Sequence, residues 1–232
     1  MFRQEPVHKR KVKGYMKKKS KSLFFIGVGL LMAFVIWTVS VRFVDVRAIG
    51  PNDSSVGFAL LNGYVHNLTG VNFTLYVITD WLGLVPIGVA FGFAVIGLVQ
   101  LIKRKSLFKV DKSILLLGGF YIVVMAVYIL FETVVINFRP TLINGYLEAS
   151  YPSSTTMLVT CVMPTAIMQL RSRIKNNVIR RFITFTIIVF IAFMVIGRLV
   201  SGVHWITDII GGALFSAGIV LIYYSLSKKT EK

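Results

Sequence analysis

The chain has 232 residues, 56% hydrophobic and only 15% charged, a composition that excludes an ordinary soluble domain and points to the membrane class. Its formal net charge of +17 invites a nucleic-acid reading. The basic residues, however, fall in clusters at 3–21, 103–112, 171–181 and 228–232, which hug the ends of apolar runs and form no separate folded module, so nucleic acid is excluded as a partner.

Residues 1–22 read as a basic cytoplasmic tail. The run from Lys9-Arg10-Lys11 to Lys17-Lys18-Lys19 either attracts anionic headgroups, at about 1 kcal/mol per charge near the surface, or only sets topology. A membrane domain follows over 23–226. A hydrocarbon core of about 30 Å needs roughly 20 apolar helical residues, and six candidates meet that need, near 23–41, 81–102, 114–136, 154–170, 179–197 and 206–226. The first reads as a retained helix and not a signal peptide. Between the first two, Gly50-Pro51-Asn52-Asp53, Asn62-Gly63 and His66-Asn67 break any long helix, so short interfacial helices are expected, with Trp81 near the boundary.

Pro86 and Pro164 lie inside predicted spans and should kink them. Gly88-x-x-x-Gly92 and Gly212-x-x-x-Ser216 place small residues one turn apart, which favours close helix contacts within the monomer. Cys161, the single cysteine, falls in an apolar span where packing is its expected role. A short tail, 227–232, ends the sequence. With six spans all four basic clusters fall on one side, leaving Arg42, Arg47, Arg139 and Arg198 for the other; the positive-inside rule then places both termini in the cytoplasm. The expected fold is an all-α, integral membrane six-helix bundle, in the plasma membrane if the source is bacterial.

That topology brings separated segments to one outer face. Span three runs out to Arg139-Pro140, span four opens at Pro152-Ser153-Ser154-Thr155, span five ends at Arg198, and span six begins beside His204. Taken singly, the arginines read as snorkelling interfacial residues and His204-Trp205 as an interface aromatic pair. Together, two arginines beside a histidine suit a clamp for phosphate oxygens. Pro152-Ser153 reads as a helix start, where unpaired N–H groups and the dipole favour an anion. Asp208 is an acid about one turn into an apolar helix and needs a partner; His204, four residues before it, is the natural one.

These segments resemble the type 2 phosphatidic acid phosphatase (PAP2) superfamily, whose pattern is Lys-x6-Arg-Pro, then Pro-Ser-Gly-His, then Ser-Arg-x5-His-x3-Asp. Arg139, Pro140, Pro152, Ser153, Arg198, His204 and Asp208 match in type and spacing. Glu132 stands where the family has the first lysine, Ser154 where it has glycine, Thr155 where it has histidine, and Gly197 where it has serine.

The resemblance implies a six-span fold and a lipid phosphate or diphosphate phosphatase, on isoprenyl diphosphate or phosphatidic acid type substrates, working without metal or cofactor. His204 would attack phosphorus to form a phosphohistidine and Asp208 would orient it. Arg139, Arg198, Ser153, Ser154 and backbone N–H groups would hold the oxygens. Only His8, His66 and His204 are present, with no metal-ligand spacing.

Two departures bear on activity. Thr155 cannot act as general acid, which should disfavour alkoxide leaving groups relative to phosphate ones. Glu132 would repel phosphate unless protonated or paired with Arg139 or Arg198. Transfer of a phosphoryl group or headgroup from the same nucleophile, and a degenerate member that binds phospholipid without cleaving it, are the alternatives.

Overall fold

The computed structural model describes residues 7–230, and side chains from 18 to 228. The outer parts of both basic tails, including the side chains of the Lys9 to Lys17 run and of His8, lie outside the described residues. Helix α1 (Val7–Phe43) leads to a two-stranded pair, β1 (Arg47–Ala48) and β2 (Ser55–Val56), and then to α2 (Ala59–Thr69) and α3 (Phe73–Leu82). The remaining helices are α4 (Leu84–Arg104), α5 (Lys112–Thr133), α6 (Ser154–Arg173), α7 (Asn177–Val200) and α8 (Ile206–Thr230). Each of the six predicted spans is a helix: α1, α4, α5, α6, α7 and α8.

Among the described residues, five segments, Lys18–Phe43, Phe73–Arg104, Lys112–Thr133, Asn177–Val200 and Ile206–Lys228, are long and apolar enough to cross a bilayer. The chain is an all-α integral membrane protein. Helix α6 is not among the five, because Thr155, Thr156, Thr160, Thr165 and Gln169 dilute its apolar residues. It packs against α4, α5, α7 and α8, so protein rather than lipid surrounds it. Two of its polar groups are met there: Thr165 Oγ1 lies 3.1 Å from the Tyr121 hydroxyl, and Gln169 Nε2 donates to the Tyr223 hydroxyl at 2.6 Å. A central helix can be polar because its neighbours replace water as hydrogen-bond partners.

The longest packing seam joins α1 and α8, which run antiparallel. Ser20 and Ser225 exchange hydrogen bonds at one end, and Trp37 Nε1 donates to the Thr207 carbonyl at 3.1 Å toward the other. A methyl group on Gly27 would lie 2.7 Å from the Gly218 carbonyl oxygen, so the backbones cross where neither helix has a side chain. Beyond the crossing, Phe34 stacks on Tyr151 and meets Phe131 edge-on and Phe215 at a tilt, forming the core beneath the site.

Several sequence expectations need correction. Pro86 lies in the first turn of α4, where its missing N–H is not needed, and the apolar segment Phe73–Arg104 is interrupted just before it, at Gly83 between α3 and α4. Pro164 does lie inside α6. Gly88 and Gly92 meet no atom within 4 Å of an added methyl, so this pair makes no helix contact in the monomer. Gly212 does, since a methyl there would sit 3.2 Å from the Ser153 carbonyl, and Ser216 Oγ donates to the Met157 carbonyl at 3.2 Å. The stretch after α1 holds the expected short helices, α2 and α3, but also the β1–β2 pair, with Arg47 opposite Val56, which breaker residues alone did not reveal. Trp81 belongs to α3 and is 71% exposed.

Candidate active site

The site is assembled where α5, α6, α7 and α8 end or begin on one face. Between α7 and α8 the chain turns through Gly202, whose φ of +67° suits glycine and where a methyl would lie 1.8 Å from the Gly70 carbonyl oxygen. Asp208, in the first turn of α8, accepts from the Trp205 N–H through Oδ2 at 2.8 Å, the reach-back of a capping box, and its charge suits the helix start. Trp205 Nε1 donates to the Phe138 carbonyl at 2.7 Å, and Asn62 on α2 bonds both Thr207 Oγ1 and the Thr207 N–H. Two neighbouring segments, the stretch at Phe138 and helix α2, thus hold the start of α8 in place.

Residues 138–149 fold back on themselves with Phe138 opposite Ala149 and Ile143 opposite Tyr146. Asn144 and Gly145, both at positive φ, close this hairpin with the twist that an Asn-Gly turn supplies. The Arg139 N–H donates to the Glu148 carbonyl at 3.0 Å, which fixes that arginine at the hairpin base. Ser153 caps α6, accepting from the Thr156 N–H at 3.5 Å, while its own N–H donates to the Asp208 carbonyl at 3.1 Å. The start of α6 is therefore tied directly to the start of α8.

His204 and Asp208 are both buried. His204 Nδ1 lies 3.7 Å from Asp208 Oδ2, too far for a hydrogen bond, and Ser150 stands between them. Ser150 Oγ is 3.1 Å from His204 Nδ1 and makes a short hydrogen bond to Asp208 Oδ2. On the other side of the ring, Arg198 Nη2 is 3.2 Å from His204 Nε2. Burial holds the imidazole well below its ordinary pKa of 6.5, and the charges of Arg139 and Arg198 push it further the same way. The ring is neutral at neutral pH.

Arg198, in the last turn of α7, is 1% exposed. Its Nη1 lies 3.6 Å from Asp80 Oδ1 and donates to Thr79 Oγ1 at 3.5 Å, both from α3. Arg139 Nε is 3.1 Å from Glu148 Oε2, but off the N–H direction, so it forms an ion pair without a hydrogen bond. Both guanidinium carbons face the Tyr76 ring, at 6.0 Å for Arg139 and 5.1 Å for Arg198. Among the described residues, Arg139 Nε and Nη1 and Arg198 Nε are buried donors without a hydrogen-bond partner. Arginine donors converging with a neutral histidine can hold and attack a phosphoryl group.

Two comparisons relate the chain to known proteins. Residues 134–232 match the PAP2 superfamily. The stretch contains Arg139, Ser153, Arg198, His204 and Asp208. The resemblance read from the motifs is borne out. Among solved structures the chain is similar to the crystal structure of the first transmembrane PAP2 type phosphatidylglycerolphosphate phosphatase from Bacillus subtilis. The two share 20% identity over 88% of this chain and 96% of that one, with a TM-score of 0.51, a likeness of fold. No curated protein gives a significant match.

The positions that depart from the PAP2 pattern have distinct surroundings. Gly197 stands where PAP2 proteins have serine, and here α3 fills the space: a methyl would lie 2.8 Å from Thr79 Cγ2. Gly197→Ser is expected to lower stability by about 1–3 kcal/mol through overpacking, and Thr79→Ser to relieve part of that loss. Thermal unfolding of the single and double variants in detergent checks both.

Thr155 does not face His204. It lines a cavity of about 360 Å³ between α4, α5 and α6, with Leu84, Ile87 and Met125. Glu132, just before the matched stretch, lines the narrow cleft that holds His204, together with Tyr128 and Ser154. Neither arginine pairs with Glu132: Arg198 pairs with Asp80 and Arg139 with Glu148. Ser154 borders both cavities.

Sequence reasoning missed Ser150, Tyr76, Thr79 and Asp80. Ser150 sits two residues before the Pro152-Ser153 match and belongs to no motif. The three α3 residues carry no motif and reach the site only through the packing of α3 on α7.

Proposed function

We propose that the chain is a membrane phosphatase that hydrolyses lipid phosphates or diphosphates at the outer leaflet through a phosphohistidine at His204. The observation that carries this reading is Arg198 Nη2 at 3.2 Å from His204 Nε2, beside buried arginine donors that have no protein acceptor. Arginine only donates, so Nε2 presents its lone pair to the point where the arginines would hold phosphate. Attack forms the P–N bond and breaks the P–O bond to the leaving group. Water then attacks phosphorus, breaks the P–N bond, and releases phosphate and free His204.

Arg139, Arg198 and the N–H groups at the start of α6, capped by Ser153, stabilise the charge on the three equatorial oxygens. Asp208 acts from the far side of the ring. The outer facing rests on the basic clusters at 103–112 and 171–181, which lie at the helix ends opposite the site. The fold neighbour acts on a lipid phosphomonoester, phosphatidylglycerolphosphate, and the apolar cavity beside Ser154 suits the chain of such a lipid.

Thr155 cannot donate a proton to a departing alkoxide, whereas a diphosphate ester releases phosphate, already a weak base. General acid catalysis is worth about 10²- to 10⁴-fold, so an isoprenyl diphosphate should be hydrolysed faster than phosphatidic acid. Glu132 lines the cleft that holds His204 and is unpaired with either arginine, which suits it to that duty, and Glu132→Gln should slow the monoester more than the diphosphate. Phosphate release by purified protein in lipid, with both substrates in parallel, tests this; equal losses on the two would overturn the role of Glu132. The changed positions Glu132 and Thr155 favour one competing reading, lipid binding without cleavage. Absence of release from either substrate by folded protein would select it.

A further inference from the structure

The link between histidine and carboxylate is indirect, and the protonation pattern around it follows from two independent contacts. Arg198 Nη2 approaches His204 Nε2 at 3.2 Å. Because a guanidinium has no acceptor, Nε2 must be the unprotonated nitrogen, and the neutral ring carries its proton on Nδ1. The acceptor within reach of that Nδ1–H is Ser150 Oγ at 3.1 Å, since Asp208 Oδ2 lies at 3.7 Å. The Ser150 hydroxyl, accepting from the ring, is free to give its own hydrogen to Asp208 Oδ2, the short hydrogen bond observed. Oδ2 also accepts from the Trp205 N–H, which fixes the carboxylate.

Ser150 is itself held. It is 2% exposed, and its N–H donates to the Asn137 carbonyl at 2.9 Å across the base of the hairpin. Asn137 is buried as well, and its Oδ1 accepts from the Gly57 N–H at 3.3 Å. Ser150, four residues before the α6 start, is therefore anchored to the β2 region and to α8 together.

We propose that Ser150 is a positioning residue: its hydroxyl relays the orienting effect of Asp208 to His204, locking the tautomer that exposes Nε2. The role rests on the phosphatase reading for its effect on turnover, but not for its effect on the ring. When Nε2 bonds to phosphorus the ring becomes cationic, and the chain from Nδ1–H through the serine hydroxyl to the carboxylate stabilises that charge without moving a proton.

The test combines kinetics with nitrogen NMR of labelled protein in detergent, using wild type, Ser150→Ala and Ser150→Thr. Outer partners of this kind change activity by about 10- to 100-fold. Ser150→Ala is expected to lower kcat within that range with KM nearly unchanged, and Ser150→Thr, which keeps the hydroxyl, to recover most of it. NMR should find His204 protonated on Nδ1 in the wild type and a mixture of tautomers in Ser150→Ala. A wild-type ring protonated on Nε2, or an unchanged tautomer in Ser150→Ala, would overturn the proposal whether or not the protein hydrolyses anything. Absence of phosphate release with the expected NMR pattern would instead count against the phosphatase reading alone.

Discussion

His204→Ala is expected to abolish phosphate release, lowering kcat by about 10⁴-fold or more, the scale seen when a covalent nucleophile is deleted from a preorganised site. The expectation follows from position. His204 presents a nitrogen lone pair toward Arg198, whereas His66, on α2, lies against Trp205, and His8 is in the N-terminal tail. The variant should still bind a lipid phosphate, because the arginines and the α6 start are untouched. Brief incubation of the wild type with radiolabelled substrate, followed by alkaline quench, should trap an acid-labile phosphoprotein that the variant lacks. Release that survives the substitution would defeat the phosphohistidine mechanism outright.

The neutral ring makes the same point through pH. An ordinary histidine gains its proton near pH 6.5 and would lose nucleophilicity below that, whereas His204 is held well below this value by burial and by Arg139 and Arg198. The acid limb of kcat/KM should therefore lie below pH 6.5.

How much of this was legible in the sequence depended on the range over which each signal acts. The spans were readable because hydropathy over about 20 residues is what a bilayer selects for, and even α6 was found although its polar residues thin its apolar character. Arg139, Ser153, Arg198, His204 and Asp208 stood out by spacing within short segments. The partners of the arginines did not. Glu132 looked like their counter-charge because it occupies a motif position, yet Asp80 and Glu148 take that place, the first from a helix more than a hundred residues away from Arg198 in sequence. Gly197 stood out only as a departure from the motif serine and proves to be the space that Thr79 needs. The Asn144-Gly145 turn was a readable hairpin signal that the search for spans passed over. Ser150 was not readable, because nothing local distinguishes a serine that bridges two distant side chains from one that starts a turn.

Arg198→Lys is expected to cost about 10²- to 10³-fold in kcat/KM, the loss typical of removing one preorganised donor to a transferring phosphoryl group. The change keeps the charge and removes the fork. In the protein, one arm of the guanidinium faces Asp80 and Thr79 while the other reaches His204 Nε2, and the plane lies over Tyr76. A lysine ammonium is a single point and cannot serve both arms. With its charge buried at 1% exposure, it would settle against Asp80 and leave Nε2 without a donor, so the Nδ1–H tautomer would weaken as well. Phosphate oxygens are charged in the ground state too, so KM should rise as kcat falls. This separates the arginine from the histidine: His204→Ala should retain lipid phosphate binding without turnover, and Arg198→Lys should lose part of both. Equilibrium binding of a non-hydrolysable phosphonate lipid to the two variants, beside their turnover, checks that crossing pattern. Unaltered binding and turnover in Arg198→Lys would remove Arg198 from the phosphate site and leave it a structural residue joining α3 to α7.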